Sequence, residues 1–166
     1  SNNYSGGNAK LFKTTDAGQN WILIDSTGGT FGFFDDIVFS KSNPQFGLAL
    51  SDPPNGDGNP FYLSKTTNGG IDWISTNPPG VTGSFGLLNA AFAIDEQFYG
   101  FQLININTNT ADSYITSNGG SNWFAAGETM PLSNYGFGED IVFNDDKLTG
   151  IMISIDYLPN IKRTTD

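Results

Sequence analysis

Three stretches of this chain, Thr14-Thr15-Asp16-Ala17-Gly18-Gln19-Asn20-Trp21, Thr66-Thr67-Asn68-Gly69-Gly70-Ile71-Asp72-Trp73 and Thr116-Ser117-Asn118-Gly119-Gly120-Ser121-Asn122-Trp123, align without a gap. Their tryptophans, the only 3 in the sequence, stand 52 and then 50 residues apart. A fourth copy opens at Thr164-Thr165-Asp166. A pattern that returns at a near-constant interval means one supersecondary unit repeated, each copy burying its apolar face against the next. The shared wording, Thr-x-Asp/Asn-x-Gly-x-x-Trp, is called the box.

A second recurrence lies between the boxes. Phe34-Asp35-Asp36-Ile37-Val38-Phe39 aligns with Leu87-Leu88-Asn89-Ala90-Ala91-Phe92 and with Gly138-Glu139-Asp140-Ile141-Val142-Phe143, and a Gly-containing apolar run follows each. Such short runs of Ile, Val, Phe and Thr, punctuated by Gly, Asn and Pro, read as strands. Four strands in a period of about 50 residues give an all-β fold, a β-propeller built of four-stranded antiparallel blades. An immunoglobulin-like sandwich shares the short strands but does not predict a box at one-blade spacing.

The chain then divides into the outer half of a blade (1–25), two blades (26–76 and 77–126) and an incomplete blade (127–166), together one portion of a single propeller domain. The first two strands of each period are nearly continuous apolar runs, so both faces of each are expected to be buried. The third, such as Phe61 to Thr66, alternates more and is expected farther out. Propellers close with roughly four to eight blades. About three blades leave a ring open, so the remainder is expected from the same longer chain, with other subunits as the alternative.

The box reads as a hairpin between third and fourth strands. Its Asp or Asn accepts backbone N–H groups of its own turn, and the following Gly takes a positive φ. Trp begins the return strand and buries its ring beside the turn. The expected structural set is Thr14, Asp16, Gly18 and Trp21; Thr66, Asn68, Gly70 and Trp73; Thr116, Asn118, Gly120 and Trp123; and Thr164 with Asp166. No ligand is needed to account for it.

On these boxes the chain resembles the Asp-box (BNR) repeat propellers, which include sialidases, xyloglucanases, sortilin-type receptors and photosystem II assembly-factor-like proteins. The wording from Lys65 to Trp73 is most similar to the last group and its bacterial secreted relatives. The resemblance implies a propeller whose boxes sit away from the ligand face. Asn68 and Asn118 depart from the family's Asp, keeping the acceptor and dropping the charge.

Composition narrows the chemistry. The chain holds 7 Lys plus Arg against 17 Asp plus Glu, a net charge of -10, with no His and no Cys. A shortage of cations argues against nucleic acid or an anionic membrane as partner. The missing His and Cys exclude a Ser-His-Asp triad, a cysteine nucleophile and a disulfide framework. Arg163 is the single arginine, whereas sialidases clamp their substrate carboxylate with three. No apolar run is long enough to cross a bilayer as a helix, so membrane insertion is not expected.

The remaining candidates lie on the loops opposite the boxes. Phe31, Phe33 and Tyr135, with Asp52 and Asp57, are the expected ligand-face residues, because a carbohydrate or peptide uses aromatics beside carboxylates. Ordinary loop chemistry, with Phe tucked between blades, is the competing account. The run Asp52-Pro53-Pro54-Asn55-Gly56-Asp57-Gly58-Asn59 is rich in oxygen ligands of the kind calcium takes. It lacks the Asp-x-Asp-x-Asp-Gly register and a closing Glu, and turn formation explains it equally well. No cofactor is expected, calcium being the one alternative. Asp36, Asn89 and Asp140, with neighbours Asp35 and Glu139, recur at one position, which favours a structural acceptor over a catalytic pair. No catalytic residue is assigned.

The functional expectation is a noncatalytic, secreted or cell-surface, bacterial propeller module that scaffolds or binds protein or carbohydrate. The alternatives are a fragment of a glycoside hydrolase, xyloglucanase- or sialidase-like, and an assembly factor with a protein partner.

Overall fold

The computed structural model of the chain describes residues 7–56, 58–82, 84–105, 108, 110–125, 130–131, 138–154 and 160–164. Among them every regular element is a strand. In chain order these are β1 (Lys10–Lys13), β2 (Ile22–Ser26), β3 (Phe34–Phe39), β4 (Gly47–Ser51), β5 (Tyr62–Thr66), β6 (Ile74–Ser75), β7 (Ser84–Ala93), β8 (Tyr99–Asn105), β9 (Thr110–Thr116), β10 (Phe124–Ala125), β11 (Met130–Pro131), β12 (Gly138–Phe143), β13 (Gly150–Ser154) and β14 (Asn160–Thr164). Each pairs antiparallel with its sequence neighbour within a sheet: β1-β2, β3-β4-β5-β6, β7-β8-β9-β10 and β12-β13-β14, with β11 also on β9.

The registers of the two flanking sheets repeat, with a glycine of the second strand opposite the box threonine, and the middle sheet is offset by one residue. Leu48 stands opposite Lys65 and Gly47 opposite Thr66; Gly100 faces Ile115 and Tyr99 faces Thr116; Ile151 faces Arg163 and Gly150 faces Thr164. The first strand of each of the three larger sheets carries a register shift, at its start in β3 and β12 (between Phe34 and Asp36, and Gly138 and Asp140) and in mid-strand in β7 (between Gly86 and Ala91). Such bulges re-aim side chains at the rim of a sheet.

Packing places the β7–β10 sheet in the middle. On one side Phe101, Leu103 and Ala91 meet Leu50, Phe61 and Leu63, and Tyr99 and Ala93 meet Phe46 and Leu48. On the other, Phe92, Phe98 and Ile115 close on Ile141 and Phe143. The first strands dominate these contacts, β7 lying between β3 and β12. Each fully buried Leu or Phe contributes roughly 1.5–3 kcal/mol of hydrophobic stabilisation.

Two expectations about burial need correction. β4 is buried throughout, and β8 from Tyr99 to Leu103, but β3 is not covered on both faces: Ile37 is 49% and Phe39 39% exposed, as is Val142 of β12 at 48%. Their outer faces look onto an open cleft of about 420 Å³ between β3, β7 and β12, with no further sheet against them among the described residues. Trp21 is also exposed, at 59%. In its two-stranded sheet no inner strand lies beneath the indole, whereas Trp73 packs edge-on to Phe39 and Trp123 to Tyr99 and Phe101.

Candidate functional site

At one end of the sheets the three boxes close into the same turn. The box Thr hydroxyl donates to the Asp or Asn side chain two residues on, Thr14 to Asp16 at 2.8 Å, Thr66 to Asn68 at 3.0 Å and Thr116 to Asn118 at 3.1 Å. The same hydroxyl oxygen accepts the N–H of Gly18, Gly70 and Gly120 at 2.8–2.9 Å. The Asp or Asn Oδ1 then accepts the backbone N–H four residues on, from Asn20, Asp72 or Asn122. Gly18, Gly70 and Gly120 sit at φ 89°, 80° and 88°, the left-handed region that needs no Cβ. Ala17, at φ 58°, occupies the place that Gly69 and Gly119 hold in the other boxes.

The side chains at the third and seventh box positions form a complementary couple. In the first box Asn20 Nδ2 donates to Asp16 Oδ2 at 2.6 Å; in the second the roles reverse, Asn68 Nδ2 donating to Asp72 Oδ2 at 2.8 Å. Hydrogen bonds from the Asn20 backbone, then its side chain, then Thr14 hold the Asp16 carboxyl down at about 2. The third box carries Asn at both places.

Lysines latch one box to the next. Lys13 Nζ donates to Gly69 O and Lys65 Nζ to Gly119 O, each at 2.7 Å, from the position just before the box Thr. Ser40 and Ser42 hydroxyls both donate to Ile94 O, and Lys147 pairs with Asp95. The Thr, Asp/Asn and Lys groups of this end are therefore engaged with backbone and with neighbouring sheets, whereas the buried indole N–H groups of Trp73 and Trp123 find no acceptor among the described residues. The sequence pattern signalled the Asp/Asn and Gly roles; the Thr hydroxyl and the Lys latch went unread.

The opposite end gathers less regular chemistry. Phe31 and Phe33 are 49% and 54% exposed, on a loop whose backbone is tied down by Thr30 and Phe31 N–H bonds to Pro54 O and by Asp52 N–H to Phe33 O. Asp52 Oδ1 accepts Gly86 N–H at 2.9 Å. Asp36 Oδ2 accepts Ala91 N–H at 2.8 Å, so this acceptor serves the neighbouring sheet. Asp36 and Asn89 line the cleft beside Ile37, Phe39 and Val142. Asp57, Tyr135 and Asp166 lie outside the described residues, while Thr164 ends β14 opposite Gly150 as Thr66 ends β5 opposite Gly47.

Asp35, which the sequence offers only as a neighbour of Asp36, has the most unusual surroundings of all. The bulge in β3 turns it against the β7 sheet, where a Cβ on Gly86 would come within 1.9 Å of Asp35 Oδ2. That oxygen is buried and has no hydrogen-bond partner among the described residues. Burial first, then the charges of Asp52 and Asp36, push its carboxyl up to about 8, so it is protonated at neutral pH while an ordinary aspartate is ionised. This buried neutral acid lies between the β3 and β7 sheets, at the end of the sheets that also carries the exposed rings of Phe31 and Phe33.

Among the described residues no group of three or more acidic side chains converges as a metal site. Among them, too, no helix is long and apolar enough to cross a membrane. No protein-family model matches the chain, and no curated protein matches it.

Proposed function

We propose that this chain is a portion of an Asp-box β-propeller, a noncatalytic module at the exterior of a bacterial cell that binds protein or carbohydrate. The observation that carries the reading is the division of labour between the two ends of the sheets. The same turn recurs in three boxes, and its Thr and Asp/Asn side chains are turned inward onto its own backbone. Variable chemistry, Phe31, Phe33, Asp35 and Asp52, collects at the other end. The inner strands β3, β7 and β12 lie side by side with a cleft between them, the relation that blades have around a propeller axis. The acidic, Asn-, Thr- and Gly-rich composition is what suggests an extracellular setting.

The test is a glycan array and calorimetric titration of the protein beside its Phe31→Ala/Phe33→Ala variant. Binding that disappears in the variant, with thermal unfolding unchanged, supports the reading. Binding that survives the variant, or that is lost on changing a box residue at full stability, defeats it.

One observation favours a second reading, a fragment of a glycoside hydrolase. Asp35 and Asp52 are close enough for the Asp52 charge to raise the Asp35 carboxyl, and glycoside hydrolysis relies on two acids of which one is held protonated. Hydrolysis of chromogenic aryl glycosides by the protein, abolished in Asp35→Asn, is the outcome that selects it.

A further inference from the structure

Asn-Gly occurs three times in the sequence, at Asn55-Gly56, Asn68-Gly69 and Asn118-Gly119. This dipeptide is the chemically labile one. The glycine nitrogen, on losing its proton to base, attacks the asparagine Cγ; the C–N bond of the carboxamide breaks and ammonia leaves. Water then opens the resulting succinimide at either carbonyl, giving Asp or isoAsp. One water is consumed, one ammonia is released, and the chain gains one negative charge. Glycine permits the attack because no Cβ hinders the approach.

The fold sorts the three sites. In the boxes the nucleophile is tied to a different loop, Gly69 N–H donating to Gln45 O at 2.8 Å and Gly119 N–H to Gln97 O at 3.0 Å. The carboxamides are fixed as well. Asn68 Oδ1 accepts from Thr66 Oγ1, Ile71 N–H and Asp72 N–H, and Asn118 Oδ1 from Thr116 Oγ1 and Asn122 N–H. Bringing Cγ onto the glycine nitrogen there means opening the box and releasing a contact between loops.

Asn55 is placed differently. It is exposed, and its side chain makes no hydrogen bond among the described residues. Among the described residues Gly56 N–H is held by Pro53 O alone, at 3.0 Å, inside its own four-residue turn. Asn59 Nδ2 steadies the backbone by donating to Asn55 O and Gly56 O, both within the same short loop. Pro54 O anchors the start of the turn by accepting Thr30 and Phe31 N–H, but freeing the Gly56 nitrogen breaks only its bond to Pro53 O and leaves those loop-to-loop bonds in place.

We propose that Asn55 is the site of spontaneous deamidation in the folded protein, and that the box turns protect Asn68 and Asn118 from the same reaction. The new carboxylate, on a normal or an isomerised backbone, arises in the loop whose Gly56 lies against the ring of Phe31. Ageing thereby changes the charge and path of the loop beside the exposed aromatics, whatever those aromatics bind.

The test incubates the whole folded chain at mildly alkaline pH and follows each Asn-Gly peptide by mass spectrometry and isoaspartyl methyltransferase labelling. A parallel sample is held unfolded in urea. Conversion at Asn55 should outrun that at Asn68 and Asn118 by at least about tenfold in the folded chain, as reactions gated by local opening do. In urea the three rates should converge, and Asn55→Gln should remove the folded-state signal. A box asparagine converting as fast as Asn55 in the folded protein overturns the proposal. So does an Asn55 that stays intact while its counterparts react in urea.

Discussion

Replacing Asn68 by Asp changes only an amide to a carboxylate, yet the structure gives it a definite consequence. Asn68 Nδ2 donates to Asp72 Oδ2 at 2.8 Å, so Asn68→Asp removes that bond and sets two carboxylates in contact. A hydrogen bond to a charged group contributes about 1.5–3 kcal/mol when shielded, and this exposed one falls at or below the low end. Two like charges about 4 Å apart in water add about 1 kcal/mol of repulsion. The expected loss is therefore about 1–2 kcal/mol, read as a lower urea midpoint at unchanged m-value. Adding Asp72→Asn should recover most of it, because the doubly substituted turn has a carboxylate third and an amide seventh, the couple that Asp16 and Asn20 already form. Asn118→Asp should be near neutral for the same reason, since its seventh position is already Asn122. A coupling energy near zero in the double-mutant cycle, or an Asn68→Asp variant as stable as the parent, refutes the complementary-couple account.

Three further outcomes are expected. The raised carboxyl of Asp35 makes a contribution to stability that is fully present below its ordinary value of 3.8 and lost as pH rises towards about 8. Chemical denaturation of the protein and of Asp35→Asn across that window should show the variant gaining relative to the parent as pH increases; parallel curves would refute the assignment. Gly120→Ala sets a Cβ 2.6 Å from Tyr99 Oη and 2.7 Å from Thr76 Oγ1 at a φ of 88°, and should cost at least about 1–3 kcal/mol by thermal unfolding. Trp123→Ala, stripped from Tyr99 and Phe101, should cost about 2–4 kcal/mol, while Trp21→Ala should cost about 1 kcal/mol, because that indole is mostly exposed and keeps little beyond its bond to Gly18 O. Equal losses for the two tryptophans would contradict the packing described.

The strands and the box turns were legible in the sequence because both are set by local rules. Apolar runs broken by Gly and Asn give strands, and an Asx acceptor followed by Gly gives a closed turn. What escaped reading depends on residues far apart in the chain. Asp36 finds its donor in Ala91 and Lys65 its acceptor in Gly119, 55 and 54 positions away, and nothing near either residue points to its partner. Asp35 looks like one more polar residue at a strand start until the bulge turns it inward. Ile37, Phe39 and Val142 read as buried because apolar residues on successive positions imply two covered faces, yet here one face borders an open cleft. The exposure of Trp21 likewise depends on which strands share its sheet, not on its box.

The account rests on sheets fanned about a common axis, with their first strands at the centre and their box turns at one end. A crystal structure of the protein is the direct test. It should show β3, β7 and β12 side by side around a channel, with Lys13 and Lys65 reaching the carbonyls of the following boxes. Two sheets packed face to face as a sandwich, with the boxes at opposite ends, would contradict it.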